Sequence, residues 1–465
     1  MKFKDYFFWL EVPERVIWKP FWSLFLSAIV LLVPVINVWW WLIIPIFLVY
    51  HLQTYYLWWI SWDFEYKKQK WVMLELIPPK EVLAPFSAMD DVFNVVWSII
   101  DSANWRETWC EGELPICPYW CSWEIASIEG KVHFYVRCLA QHRNIIESVL
   151  YSHYPEVEIV ETSDYTKNVP QDIPNEEWQI YAEDYILGRG NAYPIKTYSK
   201  FFEPQGEKIS QEEKRIDPIA SLLENLATLD PGEQFWLQII INPAVDHEIP
   251  WKEEAKKIIN KIAKRPEEKK ESFWDMLGNM FNELFAGITG SAGVDDKGKA
   301  KSLSPAKSES TEREMIITPG EREILSGVEE KIKKAAYKTN IRAVYIAKKG
   351  SFKGPNGKIA RTYFMHFAAA NLNYIRFSLD TRTKIHYILR KTRERLRAKK
   401  IFRNYIKRYP YKFPVLFGEG NPILNTEELA TIFHFPTKIS GISSSAVAGV
   451  EAKRGGPPAN LPFEE

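Results

Sequence analysis

Residues 71–77 (WVMLELI) read as a strand closed by Pro78 and Pro79, because proline offers no backbone donor to a ladder. From Pro85 to Ile100 the apolar residues Phe86, Met89, Val92, Phe93, Val96 and Ile100 recur at helical spacing. Residues 121–137 form two alternating runs separated by Glu129-Gly130, which is a hairpin signal. A second helix over 144–154 and a strand over 157–160 complete the order β-α-β-β-α-β.

That order predicts a ferredoxin-like α+β domain over 65–170, with two helices on one face of an antiparallel sheet. A second α/β domain is expected over 171–440. Strands at about 178–187 and 235–242 bracket a helix opening at Asp217-Pro218, where Asp caps free N–H groups and Pro suits the first helical position. Thr318 to Glu321 has capping-box spacing and opens a helix that runs to about 337 and leads to a strand over 341–347. A helix near 362–374 and a strand near 375–379 close this unit. Its insertion, 251–315, starts as a charged helix over 252–264 and passes an amphipathic segment from Phe273 to Phe285. That segment suits either its own domain or a bilayer surface. From Gly287 to Glu314 too little apolar surface exists to offset chain entropy, so a flexible loop is predicted. Residues 441–465 read as a C-terminal linker.

The N-terminal pattern differs in kind. Pro20 to Trp62 is a run of 43 residues without Asp, Glu, Lys or Arg. A hydrocarbon core takes about 20 residues per helix, so the run predicts a two-helix transmembrane hairpin over 17–64, turning at Pro34–Asn37, after a cytoplasmic arm over 1–16. Trp39, Trp40 and Trp41 after the turn and Trp58, Trp59 and Trp62 at the end suit the two interfaces. Lys2, Lys4, Arg15 and Lys19 precede the run and Lys67, Lys68 and Lys70 follow it, so the positive-inside rule places both termini and the folded body on the cytoplasmic side of an inner membrane. The competing reading is an apolar hairpin buried in a soluble protein.

Overall charge is balanced, with 60 Lys+Arg against 59 Asp+Glu in 465 residues, and this conceals one local excess. Residues 382–412 hold thirteen Lys or Arg and one acid, Glu394, interleaved with Tyr387, Phe402, Tyr405, Tyr409 and Tyr411. Arg390, Lys391, Arg393, Arg395, Arg397, Lys399, Lys400, Arg403, Lys407 and Arg408 are the candidate contacts to DNA or to anionic lipid, against the plainer reading of a solvated helix face.

Catalytic patterns are missing from the sequence. Gly293 to Ala300 approaches a P-loop, but Ala300 stands where the magnesium-binding hydroxyl is needed and two Asp oppose an anion. Cys110, Cys117 and Cys121 lie close together without paired CxxC knuckles, so buried reduced thiols are expected in preference to zinc. No HExxH and no GxSxG occurs. The chain is expected to be non-enzymatic, with no cofactor and no metal.

The strings WVMLELIPPKE, SWEIASIEGKVHFYVR, IDPIASLLENLATLDPGEQFWLQIIINP, TPGEREILSGVEEKIKK and ILNTEELATIFHFP resemble the region that precedes the motor in TraG/TraD-like type IV secretion and conjugation coupling proteins. The resemblance covers about 65–465 apart from the insertion. It implies a membrane platform for DNA or protein transfer that recruits a separately encoded RecA-like ATPase, since no motor sequence is present, and a homo-oligomeric assembly is expected. Docking is expected at Asn425, Glu428, Leu429, Ile432 and Phe433, where Asn425 and Glu428 can cap a helix and the other three form an apolar stripe suited to a groove or to self-packing. The alternative is a membrane-tethered module that binds DNA or anionic lipid through 382–412.

Overall fold

A computed structural model describes residues 68–80, 82, 84–99, 120–200, 217–245, 251–263, 318–385, 389–410 and 421–436, with a few isolated positions before them. Among the described residues nine strands join into one antiparallel sheet. In chain order they are β1 (Trp71–Ile77), β2 (Cys121–Ile128), β3 (Lys131–Leu139), β4 (Glu158–Thr162), β5 (Trp178–Leu187), β6 (Glu233–Pro243), β7 (Ala336–Lys348), β8 (Ile375–Phe377) and β9 (Ile423–Asn425). The described α-helices are α1 (Ser87–Trp97), α2 (Arg143–His153), α3 (Pro218–Ala227), α4 (Trp251–Ile262), α5 (Pro319–Lys333), α6 (Ile359–Met365), α7 (Arg390–Ile406) and α8 (Thr426–Ile432).

The expected pair of ferredoxin-like domains behind a transmembrane hairpin is corrected by this sheet. Its order is β4-β1-β3-β2-β6-β7-β5-β8, with β9 on β7. The first four strands and the last four each have the split βαβ connections, but neither group ends at an open edge where they meet. Cys121 to Ile128 of β2 pair with Ile241 to Gln234 of β6, so two edges that would otherwise expose unpaired backbone close on each other. β9 then takes the flank of β7 beyond the end of β5, through Ala336–Asn425 and Lys338–Ile423. Periodicity reports strands and helices, and it carries no signal for pairing between edges more than 100 residues apart.

Alternation along the central strands sorts the core into two layers. Trp123, Ile125, Phe134, Phe235, Leu237, Ile239 and Tyr345 face α1, α2, α3, α6 and α8. Ala126, Trp236, Val344 and Ile346 face the other way and meet Tyr165, Ile401, Phe402 and Tyr405. Helix α7 therefore lies on the face opposite the other sheet-packed helices. The β2–β3 turn has Glu129 at φ 53 and Gly130 at φ 84, the left-handed pair that matches strand twist.

Local signals placed several ends well. Asp217 accepts from the Ile219 N–H with Pro218 at the first position, and Thr318 and Glu321 form a capping box at α5. The strand expected over 341–347 is longer, because β7 pairs with β6 from Tyr337 to Ala347, and the helix expected near 362–374 is only α6. The hairpin expected over 17–64 lies outside the described residues except at isolated positions, of which Trp40, Trp41, Val49, Leu52 and Tyr56 are exposed. Among the described residues no helix is long and apolar enough to cross a membrane. The amphipathic segment and the loop of the insertion also lie outside the described residues.

Candidate nucleic-acid interface

The sequence of α7 gives it two faces. Ala398, Ile401, Phe402 and Tyr405 recur at helical spacing and are buried. Arg390, Lys391, Glu394, Arg395 and Lys399 share another stripe, whose members are exposed or half-buried.

The C-terminus of α7 is fixed by Arg408. This residue takes φ 53, a left-handed conformation that usually falls to glycine. Its N–H donates to Tyr405 O at 3.0 Å and the Tyr409 N–H donates to Asn404 O at 2.8 Å, the paired bonds of a Schellman cap. The turn directs the guanidinium under the helix, where Nε and Nη2 donate to Glu124 at 3.0 and 3.1 Å and Nη1 and Nη2 reach Asp164. Tyr165 Oη also donates to Glu124, at 2.7 Å.

Glu124 belongs to a polar row that crosses the sheet in register. Glu124 of β2 pairs with Gln238 of β6, Gln238 with Arg342 of β7, and Arg342 with Asp184 of β5. Gln238 Nε2 donates to Glu124 at 2.9 Å, and Arg342 Nε donates to Asp184 at 2.7 Å. Burial opposes the charge of Glu124, yet the Arg408 guanidinium and the hydrogen bonds to it hold the carboxyl below its ordinary range. Asp184 goes the other way, because burial outweighs Arg342. The row is structural: its members are buried and hold α7 to the sheet.

The other half of α7 overhangs a groove of about 1350 Å³. One wall is the basic stripe, the second is the segment from Asp172 to Tyr181, and the third is the turn from Lys349 to Lys358. Among the described residues seven Lys or Arg line it against three carboxylates, Asp172, Glu176 and Glu394. Glu394 is engaged, since it accepts from the Ile385 N–H at 3.1 Å and from Arg390 Nε at 2.9 Å, tying the start of α7 to the preceding chain. Among the described residues Lys391, Arg395 and Lys399 meet no carboxylate at ion-pair distance. Trp178, Tyr181 and Phe352 supply aromatic surface in the same groove. Gly357 is required there, since a Cβ on it would stand 2.5 Å from Tyr181 Cδ1. A hollow of about 300 Å³ shares Asp172 and Lys399 with the groove and extends along α7 to Arg403 and Lys407.

The basic residues expected to contact an anion thus divide. Arg390, Lys391, Arg395 and Lys399 line the groove, and Arg403 and Lys407 line the hollow. Arg397 is half-buried and donates to the carbonyls of Leu379 and Arg382 at 3.2 Å each, while Lys400 lies near enough to Asp184 to favour its charge. Arg393 is half-buried and outside both linings. Arg408 is corrected: it is buried and ion-paired, and it anchors the helix instead of meeting a ligand. Sequence reasoning missed Trp178, Tyr181, Phe352, Lys349 and Lys358, which lie far from 382–412 in the chain and carry no local pattern.

The expected docking helix is corrected as well. Asn425 and Glu428 do form the capping box of α8, but Asn425, Glu428, Leu429, Ile432 and Phe433 are all buried within the chain. Phe433 packs edge-on against Trp123 and Phe134, and Glu428 pairs with the buried Lys331 at 3.1 Å. An apolar stripe is equally suited to a partner and to its own sheet, and here the sheet takes it. Cys121 and Cys138 are buried thiols that burial pushes up to about 12, while Cys110 and Cys117 lie outside the described residues. Among the described residues no group of three His, Cys, Asp or Glu is placed to hold a metal.

Fold and groove together define an antiparallel α+β protein with a basic cleft bordered by aromatic side chains from both layers of the sheet. Residues 90–438 match the family described as Domain of unknown function (DUF8128), and the chain belongs to that family. No curated protein matches the chain, so the resemblance to coupling proteins gains no support from that comparison.

Proposed function

We propose that this chain is a non-catalytic platform that holds DNA in the groove beneath α7. The observation that carries this reading is the lining itself, seven cationic side chains against three carboxylates around about 1350 Å³. That volume exceeds the roughly 300–1,000 Å³ of small-molecule sites, and the excess positive charge suits a chain of phosphates. A concave groove fits a strand better than the flat surface of a bilayer. A location at the membrane has its support in the uncharged run from Pro20 to Trp62. Service to a separately encoded transfer ATPase has its support in the sequence resemblance alone, and with α8 buried such a motor would need another surface.

Fluorescence anisotropy of labelled DNA with the detergent-solubilised full-length chain tests the reading across a salt series. Affinity is expected to fall steeply as salt rises, and Lys391→Glu with Arg395→Glu is expected to remove it. Binding that ignores salt, or survives the charge reversal, overturns the proposal. Displacement of the DNA-free chain onto phosphatidylglycerol vesicles without any DNA retention would assign the groove to lipid instead.

A further inference from the structure

We infer that the groove takes nucleic acid as a single strand and grips it through its bases, with Trp178 and Phe352 as stacking surfaces opposite the basic stripe of α7. The inference rests on the nucleic-acid reading above and adds to it a form of ligand. A cleft built for duplex backbone needs cations alone, because the bases of a duplex are stacked inside it and present only their edges. This groove places large ring surface where a strand would lie. Trp178 opens β5 and Phe352 lies in the turn after β7; the first packs on the α7 layer and the second on the opposite layer, and both border one cleft with Lys391, Arg395 and Lys399.

Each ring is held from behind. Trp178 is half-buried against the layer under α7, with Lys348 Nζ 5.8 Å from its centroid. Phe352 rests on Tyr345 at 5.1 Å between centroids. Tyr181 lines the same groove from the Phe352 side, with its hydroxyl fixed by Arg361 Nη2 at 2.7 Å and by Glu183. Rings that are already immobile lose little conformational entropy when a base stacks on them. The cations on the α7 side can follow phosphates while unpaired bases turn toward the sheet, the division of labour that single-strand grooves use.

The test compares three ligands with the full-length chain at one salt concentration: a short oligothymidylate, an abasic oligomer of equal charge, and a duplex of equal length. Oligothymidylate is expected to bind at least roughly 5-fold more tightly than the abasic oligomer, the minimum set by a single stacked base. Trp178→Ala and, separately, Phe352→Leu are expected to weaken oligothymidylate toward the abasic value and leave the abasic oligomer unchanged. The wild-type comparison needs no variant and decides the matter if Trp178→Ala fails to fold. Equal binding of the thymidine and abasic oligomers, or tighter binding of duplex, overturns the inference. If all three ligands then still respond to Lys391→Glu with Arg395→Glu, the platform reading survives that failure; if none of the three binds, both readings fall.

Discussion

Arg408 Nε donates to Glu124 Oε1 at 3.0 Å across 284 positions of sequence, with both side chains almost wholly excluded from solvent. The contact joins the last turn of α7 to the centre of the sheet, and Asp164 completes it. Removing one partner of a buried ion pair leaves the other charge without compensation, at a cost of about 3–5 kcal/mol. Arg408→Ala is therefore expected to lower the denaturation midpoint sharply, whereas Lys391→Ala on the groove changes stability by less than about 0.5 kcal/mol. Equal loss in the two variants, followed by tryptophan fluorescence in urea, would contradict the division of α7 into an anchored half and a presented half.

The same cluster sets an acid limit. Burial opposes ionisation of Glu124 and Asp164, but Arg408 outweighs it and holds both carboxyls below their ordinary range in the folded chain. Their folded values lie below their unfolded values, so the unfolded chain takes up these protons first as pH falls. The stabilisation is complete above roughly pH 4 to 5 and is lost as pH drops through the folded values. Melting measured at descending pH is expected to decline only in that acid window. A melting temperature that climbs on acidification there would show the sign to be wrong.

Two glycines separate conformational need from mere occurrence. Gly130 has φ +84 and its missing Cβ would stand 2.9 Å from the Leu229 carbonyl oxygen, so Gly130→Ala meets both backbone strain and a backbone clash. A loss of roughly 1–3 kcal/mol is expected. Gly320, in the first turn of α5, has nothing within 4 Å of that position, and Gly320→Ala is expected to be neutral or to stabilise by up to about 1 kcal/mol. Thermal melting of the two variants beside the parent checks the contrast, and an equal loss in both defeats it.

The proposed membrane location has a direct biochemical readout. With no Asp, Glu, Lys or Arg from Pro20 to Trp62, the chain is expected to stay with the membrane pellet after carbonate washing. Recovery in the supernatant would end that part of the proposal.

Local chemistry was legible where it acts over a few residues. Asp217-Pro218, Thr318 to Glu321 and Asn425 to Glu428 each cap a helix as their spacing requires, and Glu129-Gly130 turns the hairpin, because hydrogen bonds and φ preferences within four residues decide those features. The charge excess of 382–412 was equally plain, since charge is counted without coordinates. Tertiary structure decided everything that depends on distant partners. It joined β2 to β6 through their backbones, turned Leu429, Ile432 and Phe433 inward, and drew Arg408 from an apparently uniform basic segment into the polar row. It also brought Trp178 and Phe352 beside Lys391 and Arg395. Burial and edge pairing are properties of where the chain returns, and residues about 200 positions apart leave no mark on one another in a single sequence.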